Sequence, residues 1–190
     1  MVPANHRIGP AHPLVQTVVL PSPFTNGLSP VLRHLQPEIF EPYRAGITSG
    51  EKTLCFGLSE PDAGSDAFGM KTRAVRDGDE WVLTGTKQWI TNSPYADYAM
   101  VFALTDPEAA ARHKGGVTGF FIDTRTPGFS VPRIINTMGH LGGETGVIVL
   151  DGVRVRDDHR LGEVGRGLAV AMDGVNAGRM GMAASCLGLA

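Results

Sequence analysis

Short extended segments separated by turn residues fill the middle of this 190-residue chain. Asp77-Gly78 stands between two of these segments, and Asp-Gly in that position is typical of a tight hairpin. The 25 glycines and 13 prolines suit many turns better than they suit a helical bundle. We therefore predict an antiparallel β barrel or sandwich over residues 47–155, with helices only at its two ends. The predicted strands are 71–76, 80–84, 87–91, 96–104, 117–123, 129–135, 146–150 and 153–155, with a loop at 107–116 and a second Asp-Gly turn between the last two strands.

The two ends of the chain have a different pattern. Prolines recur throughout residues 1–47, so only short helices are predicted there, near 14–20 and 27–40. After Asp157 a three- and four-residue period predicts one helix, in which several glycines leave room for another backbone. Its predicted apolar face consists of Leu168, Met172, Val175, Arg179, Met182, Cys186 and Leu189. Because this helix reaches Ala190 with no capping residue, we expect the chain to be a fragment.

Composition and charge argue against several classes of function. A net charge of −2 gives no positive field to attract nucleic acid or acidic lipid. Cys55 and Cys186 lie far apart in apolar surroundings, so we interpret both as small buried residues, and the histidines show no zinc-ligand spacing. Asp173 and Arg179 argue against a membrane span in the last helix, and no secretory signal is found. We expect a cytoplasmic protein, or a matrix or peroxisomal one if the source is eukaryotic.

The segment 55–69, CFGLSEPDAGSDAFG, leaves an apolar strand and enters a turn. Its proline fixes one φ angle, and Gly64 permits backbone angles that other residues avoid. Such a turn can present backbone N–H groups to an anion or a cofactor, although an ordinary surface turn has the same composition. Glu60 and Asp66 could form an acid/base pair, but we favour hydrogen bonds from their carboxylates to turn amides.

The segment 87–92, KQWITN, follows two predicted strands later. Trp89 and Thr91 are two residues apart, so on a regular strand their side chains face the same way. An aromatic ring beside a hydroxyl could cover a planar ligand and hydrogen-bond its edge, whereas the alternative is a tryptophan in the core of the sheet. We predict that Trp89 and Ser59 face one cleft.

Together the two segments resemble the acyl-CoA dehydrogenase family, over roughly residues 35–190. The middle β domain of that family carries a run like 58–66 and then a Trp-Ile-Thr-Asn run like 89–92. The resemblance implies an α+β fold in three parts. Residues 1–47 would be the remnant of an N-terminal helical domain, 48–157 the middle β domain, and 158–190 the start of a C-terminal helical domain.

The resemblance also implies FAD as the cofactor, an acyl-CoA substrate, electron-transferring flavoprotein as the acceptor and a homo-oligomer when full length. The implied cofactor-binding residues are Phe56, Leu58 and Ser59 along the flavin ring, Gly64 and Ser65 near the cofactor phosphates, and Trp89, Ile90 and Thr91 against the ring and its N5 atom. The implied substrate-binding residues are Ser65 at the pantetheine arm and Asn176 and Arg179 at the CoA portion. For Arg179 the alternative is an ordinary salt bridge. His140 could lie in a loop on the substrate side, but we favour a solvated histidine.

The implied reaction oxidises an acyl-CoA across its α and β carbons. A carboxylate removes the α proton, and the β hydrogen leaves as hydride to the flavin. Some branches of the family place that carboxylate directly before the arginine, but Gly178 stands there. No catalytic base is therefore nominated, and the chain alone is expected to be inactive. A flavin-binding paralogue without turnover, or an acyl-CoA oxidase or nitroalkane oxidase, remains an open alternative.

Overall fold

One eight-stranded sheet organises the fold of residues 29–138 and 144–189, which are the residues that the computed structural model describes. The strands are β1 Leu54–Gly57, β2 Arg73–Asp77, β3 Glu80–Thr91, β4 Tyr98–Leu104, β5 Val117–Asp123, β6 Phe129–Ile135, β7 Thr145–Arg156 and β8 Arg160–Leu161. The helices are α1 Pro37–Ser49, α2 Pro107–Ala111 and α3 Gly167–Leu189, with 3-10 turns at Pro30–His34, Ala67–Gly69 and Asp157–His159. The predicted α+β class is confirmed, and the division at 47/48 and 157/158 stays a prediction.

The sheet is mostly antiparallel and doubles back on itself without closing into a barrel. Its order is β6-β7-β3-β2-β4-β5-β8, and β1 pairs with β4 in parallel. β2 and β4 pair over a very short stretch, at Arg73 opposite Leu104. Beyond that pair, Trp81 of β3 packs against Phe120 of β5 with ring centroids 5.7 Å apart. Strands on either side of β2 therefore face each other across a shared core, as in a sandwich.

The central strand β4 divides two cores. All seven of its residues are buried, and they alternate between the two sides. Met100 and Phe102 face the core that α1 and α3 cover, whereas Ala99 and Val101 face the core between the two sheet layers. A strand buried on both faces reads as a continuous apolar run, and the sequence YAMVFAL has that character.

The two predicted strand breaks fall at one bulge between two longer, continuous strands. β3 and β7 each run for 12 residues, although breaks were predicted at residues 85–86 and 151–152. Leu83 pairs with Val153 and Gly85 with Leu150, so β7 carries one extra residue there and absorbs it as a bulge. Gly152, with φ of 65°, supplies the left-handed angle that such a bulge uses. The hairpin predicted at Asp77-Gly78 is confirmed, since β2 ends at Asp77 and β3 begins at Glu80.

The helices differ from the prediction in length and place. α1 continues past Pro42 to Ser49, because Ile47 is fully buried and the ring of Tyr43 packs edge-on against Tyr98 at 5.1 Å. This packing outweighs the hydrogen bond that a proline removes from a helix. The five-residue α2 lies inside the β domain, where no helix was predicted, and the Asp106 carboxylate caps it. The helix predicted near 14–20 lies outside the described residues.

The predicted apolar face of α3 is only partly right. Leu168 and Met172 pack against the core as predicted, and Val170, Ala171 and Ala184 are also buried. Met182 and Cys186, in contrast, are exposed. The N-terminal end of α3 lies so close to β5 that only a small residue fits at the contact. A Cβ added at Gly167 would lie 2.7 Å from the backbone of the β5 strand. The interpretation of Cys186 as a buried residue is therefore also wrong, although Cys55 is buried as predicted.

Candidate functional site

The two sequence motifs lie side by side in the fold. The backbone N–H of Gln88 donates to the carbonyl oxygen of Ser59 at 2.9 Å. One residue earlier, the Lys87 ammonium donates to the carboxylate of Glu60 at 2.6 Å and to the carbonyl of Leu58 at 3.2 Å. Three consecutive residues after β1 are thus each bound to β3, which fixes the first motif against the second.

The tip of the turn, residues 64–65, is exposed to solvent, whereas hydrogen bonds hold the residues on both sides of it. Glu60 and Ala63 exchange backbone hydrogen bonds of 2.8 and 3.3 Å, and Asp66 accepts from the Phe68 amide at 3.1 Å. Gly64 and Ser65 lie exposed between these two closures. Contrary to the prediction, Gly64 does not use a left-handed φ, and a Cβ placed on it would meet no atom within 4 Å. The glycine therefore leaves open surface rather than a special backbone angle.

Glu60 is a structural carboxylate, as is Asp66. Besides Lys87, Glu60 accepts from the backbone amides of Lys71 at 2.6 Å and Thr72 at 3.1 Å. Only 6% of Glu60 is exposed. The interpretation that the two carboxylates bond amides is confirmed, and Glu60 has no free oxygen facing solvent with which to remove a proton.

The buried pair of Lys87 and Glu60 is the strongest electrostatic feature of the site. Burial lowers the pKa of the Lys87 ammonium to about 8, against the attraction of the Glu60 carboxylate. Burial would raise the pKa of Glu60, but the Lys87 charge and the hydrogen bond from the Lys71 amide bring it below its ordinary value. At neutral pH both groups are therefore charged, and the pair is neutral as a whole.

Trp89 projects from a bulge in β3. Lys87 pairs with Ile148 and Ile90 with Gly146, so β3 carries one extra residue at this point. Trp89 has φ of 63°, an unusual angle for a bulky residue, and its side chain is 57% exposed. The alternative that this tryptophan packs in the core is therefore wrong. Backbone strain of this kind costs of order 1–3 kcal/mol and is frequent at ligand sites.

The bulge also changes the argument from strand alternation. Lys87 is two residues before Trp89, yet it is completely buried, whereas Trp89 and Thr91 are both exposed. Simple alternation would have placed all three side chains on one face. The extra residue resets the phase, and the indole and the Thr91 hydroxyl are both accessible to a ligand. That Trp89 and Ser59 face one cleft stays a prediction.

The remaining predicted cofactor residues are less accessible. Ile90 is only 2% exposed and belongs to the core between the sheet layers, so only its backbone could contact a ligand. Phe56 and Leu58 are partly buried against the other core, where the Phe56 ring lies 5.2 Å from that of Phe102. These two side chains anchor residues 56–58 to that core. Their assignment to the cofactor, like that of the other site residues, stays a prediction.

The exposed groups fit a planar ring ligand that carries polar atoms on its edge. Trp89 offers a flat apolar surface, and Thr91 offers a hydroxyl on the same strand. Ser59 is half-buried on the segment bound to that strand, and the exposed tip of the turn follows it. That these groups bind an isoalloxazine ring stays a prediction.

The predicted substrate residues lie on α3. Arg179 donates from Nη1 to the amide oxygen of Asn176 at 3.1 Å, and both side chains are exposed. No carboxylate among the described residues pairs with Arg179, so its positive charge is available to an anion. His140, the other predicted substrate-side residue, lies outside the described residues.

Lys87 is the residue that sequence reasoning did not assign. A signal existed, because Leu83 and Lys87 are four residues apart on one strand and Leu83 is a core residue. A lysine in that phase predicts a buried cation, which requires a carboxylate partner. Glu60, in the neighbouring motif, is that partner.

The described chain has further features outside the two motifs. A cavity of about 160 Å³ lies away from both motifs, between Tyr43, Phe121, Arg156 and His159. Within 29–138 and 144–189, no group of three or more His, Cys, Asp or Glu side chains is placed to hold a metal ion. None of the described helices is long and apolar enough to cross a membrane.

Comparison with known proteins finds one family. The family model described as "Acyl-CoA dehydrogenase, middle domain" matches residues 55–153, which is just over half of the chain. This range contains both motifs and most of the sheet. The match therefore covers the part of the fold in which the candidate site lies.

Individual relatives agree with the family match. The chain is 39% identical over 176 residues to the Caffeyl-CoA reductase-Etf complex subunit CarC of Acetobacterium woodii, covering 93% of this chain and 46% of that protein. Butyryl-CoA dehydrogenase from Megasphaera elsdenii superposes with a TM-score of 0.87 at 31% identity, over 98% of this chain and 48% of that one.

A third relative is a glutaryl-CoA dehydrogenase from Mycobacterium smegmatis, solved in complex with FADH2. It has a TM-score of 0.74 and 37% identity, over 84% of this chain and 39% of that one. The chain spans less than half the length of each of these three proteins.

Proposed function

This chain belongs to the acyl-CoA dehydrogenase family, and on that basis we propose that it forms part of a flavoenzyme that oxidises an acyl-CoA thioester to the trans-2-enoyl-CoA. The observation that carries the proposal is the exposed Trp89 on its bulge, beside the exposed Thr91. The hydrogen bond from Gln88 to Ser59 holds this pair of residues next to the other family motif.

FAD is the proposed cofactor, and when bound it supplies the acceptor for the hydride that leaves the β carbon of the substrate. The glutaryl-CoA dehydrogenase relative was solved with FADH2, which supports this choice. Trp89 would cover the ring, and the Thr91 hydroxyl would donate a hydrogen bond to its edge. Such a bond is worth about 1–3 kcal/mol when its acceptor carries charge.

The first motif would hold the other parts of the same cofactor. Phe56 and Leu58 would back the ring through the packing described above, and Ser59 would line it. Gly64 and Ser65, exposed at the tip of the turn, would approach the cofactor phosphates or the pantetheine arm of the substrate. No Cβ stands in the way at Gly64, which supports a close approach of the ligand there.

Arg179 and Asn176 are the proposed contacts for the CoA portion. The hydrogen bond between them orients the guanidinium, which has no carboxylate partner among the described residues. A guanidinium binds phosphate oxygens with directional, charge-assisted hydrogen bonds. A salt bridge within a longer subunit is the alternative.

The proposal assigns no catalytic base among these residues. Gly178, directly before Arg179, has no side chain to take a proton. Glu60, a carboxylate of the first motif, is buried and bonded to Lys87 and to two amides. We therefore propose that residues 1–190 alone bind FAD weakly and do not dehydrogenate acyl-CoA.

Acceptor, assembly and location complete the proposal. One relative is named as a subunit of a reductase–Etf complex, which supports electron-transferring flavoprotein as the acceptor. A homo-oligomer and a cytoplasmic location, or a matrix or peroxisomal one in a eukaryote, follow from the family resemblance alone. The three-part division at residues 47/48 and 157/158 belongs to the same proposal.

The experiment is a titration of the purified chain with FAD, followed by flavin fluorescence, and an acyl-CoA assay with an artificial electron acceptor. We expect measurable FAD binding that Trp89→Ala weakens at least tenfold, and no turnover. Val75→Ala is the matched control, because Val75 is exposed to a similar extent, at 63%, on the neighbouring strand. Absent FAD binding, or binding that Trp89→Ala leaves unchanged, would contradict the proposal. Turnover of acyl-CoA would contradict the proposal that these residues include no catalytic base. Rapid reoxidation of the reduced flavin by oxygen would favour an acyl-CoA oxidase or a nitroalkane oxidase.

A further inference from the structure

Lys87 and Glu60 form an ion pair that is closed off from solvent. The Lys87 side chain is 0% exposed and that of Glu60 is 4% exposed, with Nζ 2.6 Å from Oε1. Desolvation makes a buried pair weak evidence for stability, because an apolar pair of similar volume often does as well. What such a pair does provide is fixed geometry, since neither charge can leave its partner without being buried alone.

The pair is the centre of a set of hydrogen bonds that surrounds the first motif. Lys87 Nζ also binds the Leu58 carbonyl and lies 3.9 Å from the sulfur of Met70. The Glu60 carboxylate also binds the amides of Lys71 and Thr72, which end the turn. One pair of side chains therefore ties together the beginning of the turn, the end of the turn and β3. Among the described residues, Glu60 is the only ionisable group that forms a hydrogen bond with Lys87.

These bonds set the direction of one peptide plane. In a trans peptide the C=O and the following N–H point in opposite directions, and no cis bond is recorded in the described chain. Holding the Leu58 carbonyl on Lys87 therefore turns the Ser59 N–H away from the Lys87 side of the segment. The next carbonyl, that of Ser59, is held by Gln88. Rotation of this segment requires that the hydrogen bonds from Lys87 to Leu58 and from Gln88 to Ser59 break, and Glu60 is what holds the Lys87 ammonium in place.

We propose that the Lys87–Glu60 pair is a positioning element for the cofactor site: it holds the Leu58–Glu60 segment in register with Trp89, so that the flavin site is formed before the ligand arrives. The inference rests on the proposed function. Lys87 and Glu60 touch no ligand in this role, and they act through Leu58, Ser59 and the strand that carries Trp89.

The test uses Lys87→Met, which removes the charge and nearly preserves the volume, and Glu60→Gln, which keeps an acceptor for Lys87. Lys71→Met is the matched control. Lys71 Nζ binds Asp62 Oδ2 at 2.5 Å on the same turn, but the two side chains are 75% and 67% exposed. All three variants of the 190-residue chain are titrated with FAD at a temperature at which circular dichroism shows them to be folded. Amide hydrogen exchange is then measured at residues 58–60 and 71–72.

We expect Lys87→Met to weaken FAD binding at least tenfold and to speed amide exchange at 71–72 at least tenfold. Glu60→Gln should produce a smaller change of the same sign, and Lys71→Met should match the wild type. The double variant Glu60→Gln with Lys87→Met should recover thermal stability without recovering FAD affinity. A purely structural role predicts that stability and affinity recover together, and that result would overturn the proposal.

The experiment separates failure of this inference from failure of the proposed function. Wild-type chain that does not bind FAD would contradict the proposed function, whatever the variants do. Exchange at 58–60 and 71–72 that is unchanged in a folded Lys87→Met variant would overturn the positioning role, whatever the flavin titration shows. If Lys87→Met does not fold, the same two measurements on Glu60→Gln decide the question.

Discussion

The backbone N–H of Gln88 lies 2.9 Å from the carbonyl oxygen of Ser59, and this hydrogen bond joins two segments that are far apart in the sequence. Because β3 has a bulge directly after Gln88, the next residue, Trp89, turns its side chain to solvent. The same short stretch of β3 thus holds the turn motif on its buried side and presents the aromatic ring on its exposed side. That a ligand site lies between the two motifs stays a prediction.

Trp89→Gly should leave the fold as stable as the wild type, or more stable by up to about 1 kcal/mol. At φ of 63° a non-glycine residue is strained, and glycine relieves that strain at the cost of extra entropy in the unfolded chain. The indole is mostly exposed, so little buried surface is lost. Urea unfolding measures the effect. Thr91→Gly, at a residue with no positive φ, is the control and should lose about 1 kcal/mol. A loss above about 2 kcal/mol for Trp89→Gly would show that the bulge depends on the indole.

Gly167→Ala should destabilise the chain by about 1–3 kcal/mol. A Cβ there would lie 2.7 Å from the backbone of Thr118 and Gly119, so α3 would have to move away from β5. Gly64→Ala is the control, because no atom lies within 4 Å of its added Cβ and its φ is not left-handed. Thermal unfolding of both variants gives the comparison. Equal midpoints would mean that α3 does not pack on β5 as described.

Local chemistry explains which parts of the fold could be predicted from the sequence. The Asp77-Gly78 hairpin was predictable because its glycine supplies the angle that the turn needs, at φ of 65°. The bulges at Trp89 and Gly152 were not, because a bulge exists only in relation to the partner strand. Strand alternation correctly predicted that Trp89 and Thr91 face the same way. It did not include the bulge, which is why Lys87, two residues earlier, is buried instead of exposed.

Tertiary contacts explain the remaining differences. Helical periodicity predicted α3 and correctly placed Leu168 and Met172 against the core, but it also assigned the exposed Met182 to the buried face. Close approach to β5, which leaves no room for a Cβ at Gly167, is not visible from periodicity. Lys87 was overlooked because a lysine is usually exposed, and the position of Glu60 in space is not visible from either motif alone. The candidate site was therefore predictable as two motifs, but not the pair that holds them together.

Arg179→Gln should weaken the binding of free coenzyme A by about 1–3 kcal/mol if the guanidinium binds its phosphates. The effect should shrink as the salt concentration rises, because the interaction is between exposed charges. Isothermal titration calorimetry at two ionic strengths is the measurement. Arg112→Gln removes an exposed arginine that is already paired with Glu108, and it should have no effect. Equal affinity in both variants would assign Arg179 to a salt bridge or to solvent.

Lys87→Met should change how stability depends on pH between about 8 and 10.5. Burial lowers the folded-state pKa of Lys87 to about 8 from an ordinary value of 10.5. In that window the unfolded chain holds a proton that the folded chain has released. The Lys87 contribution therefore makes the wild type more stable as pH rises, with a slope of up to about 1.4 kcal/mol per pH unit.

The Lys87 contribution is isolated by subtracting the unfolding free energy of Lys87→Met from that of the wild type at each pH, since unrelated groups cancel. Lys71→Met serves as a control with the opposite sign. The hydrogen bond from Lys71 to Asp62 raises the pKa of Lys71 in the folded chain, so its contribution is present below pH 10.5 and is lost as pH rises further. A wild-type minus Lys87→Met difference that falls between pH 8 and 10.5 would mean that Glu60 holds the proton on Lys87 more strongly than burial removes it.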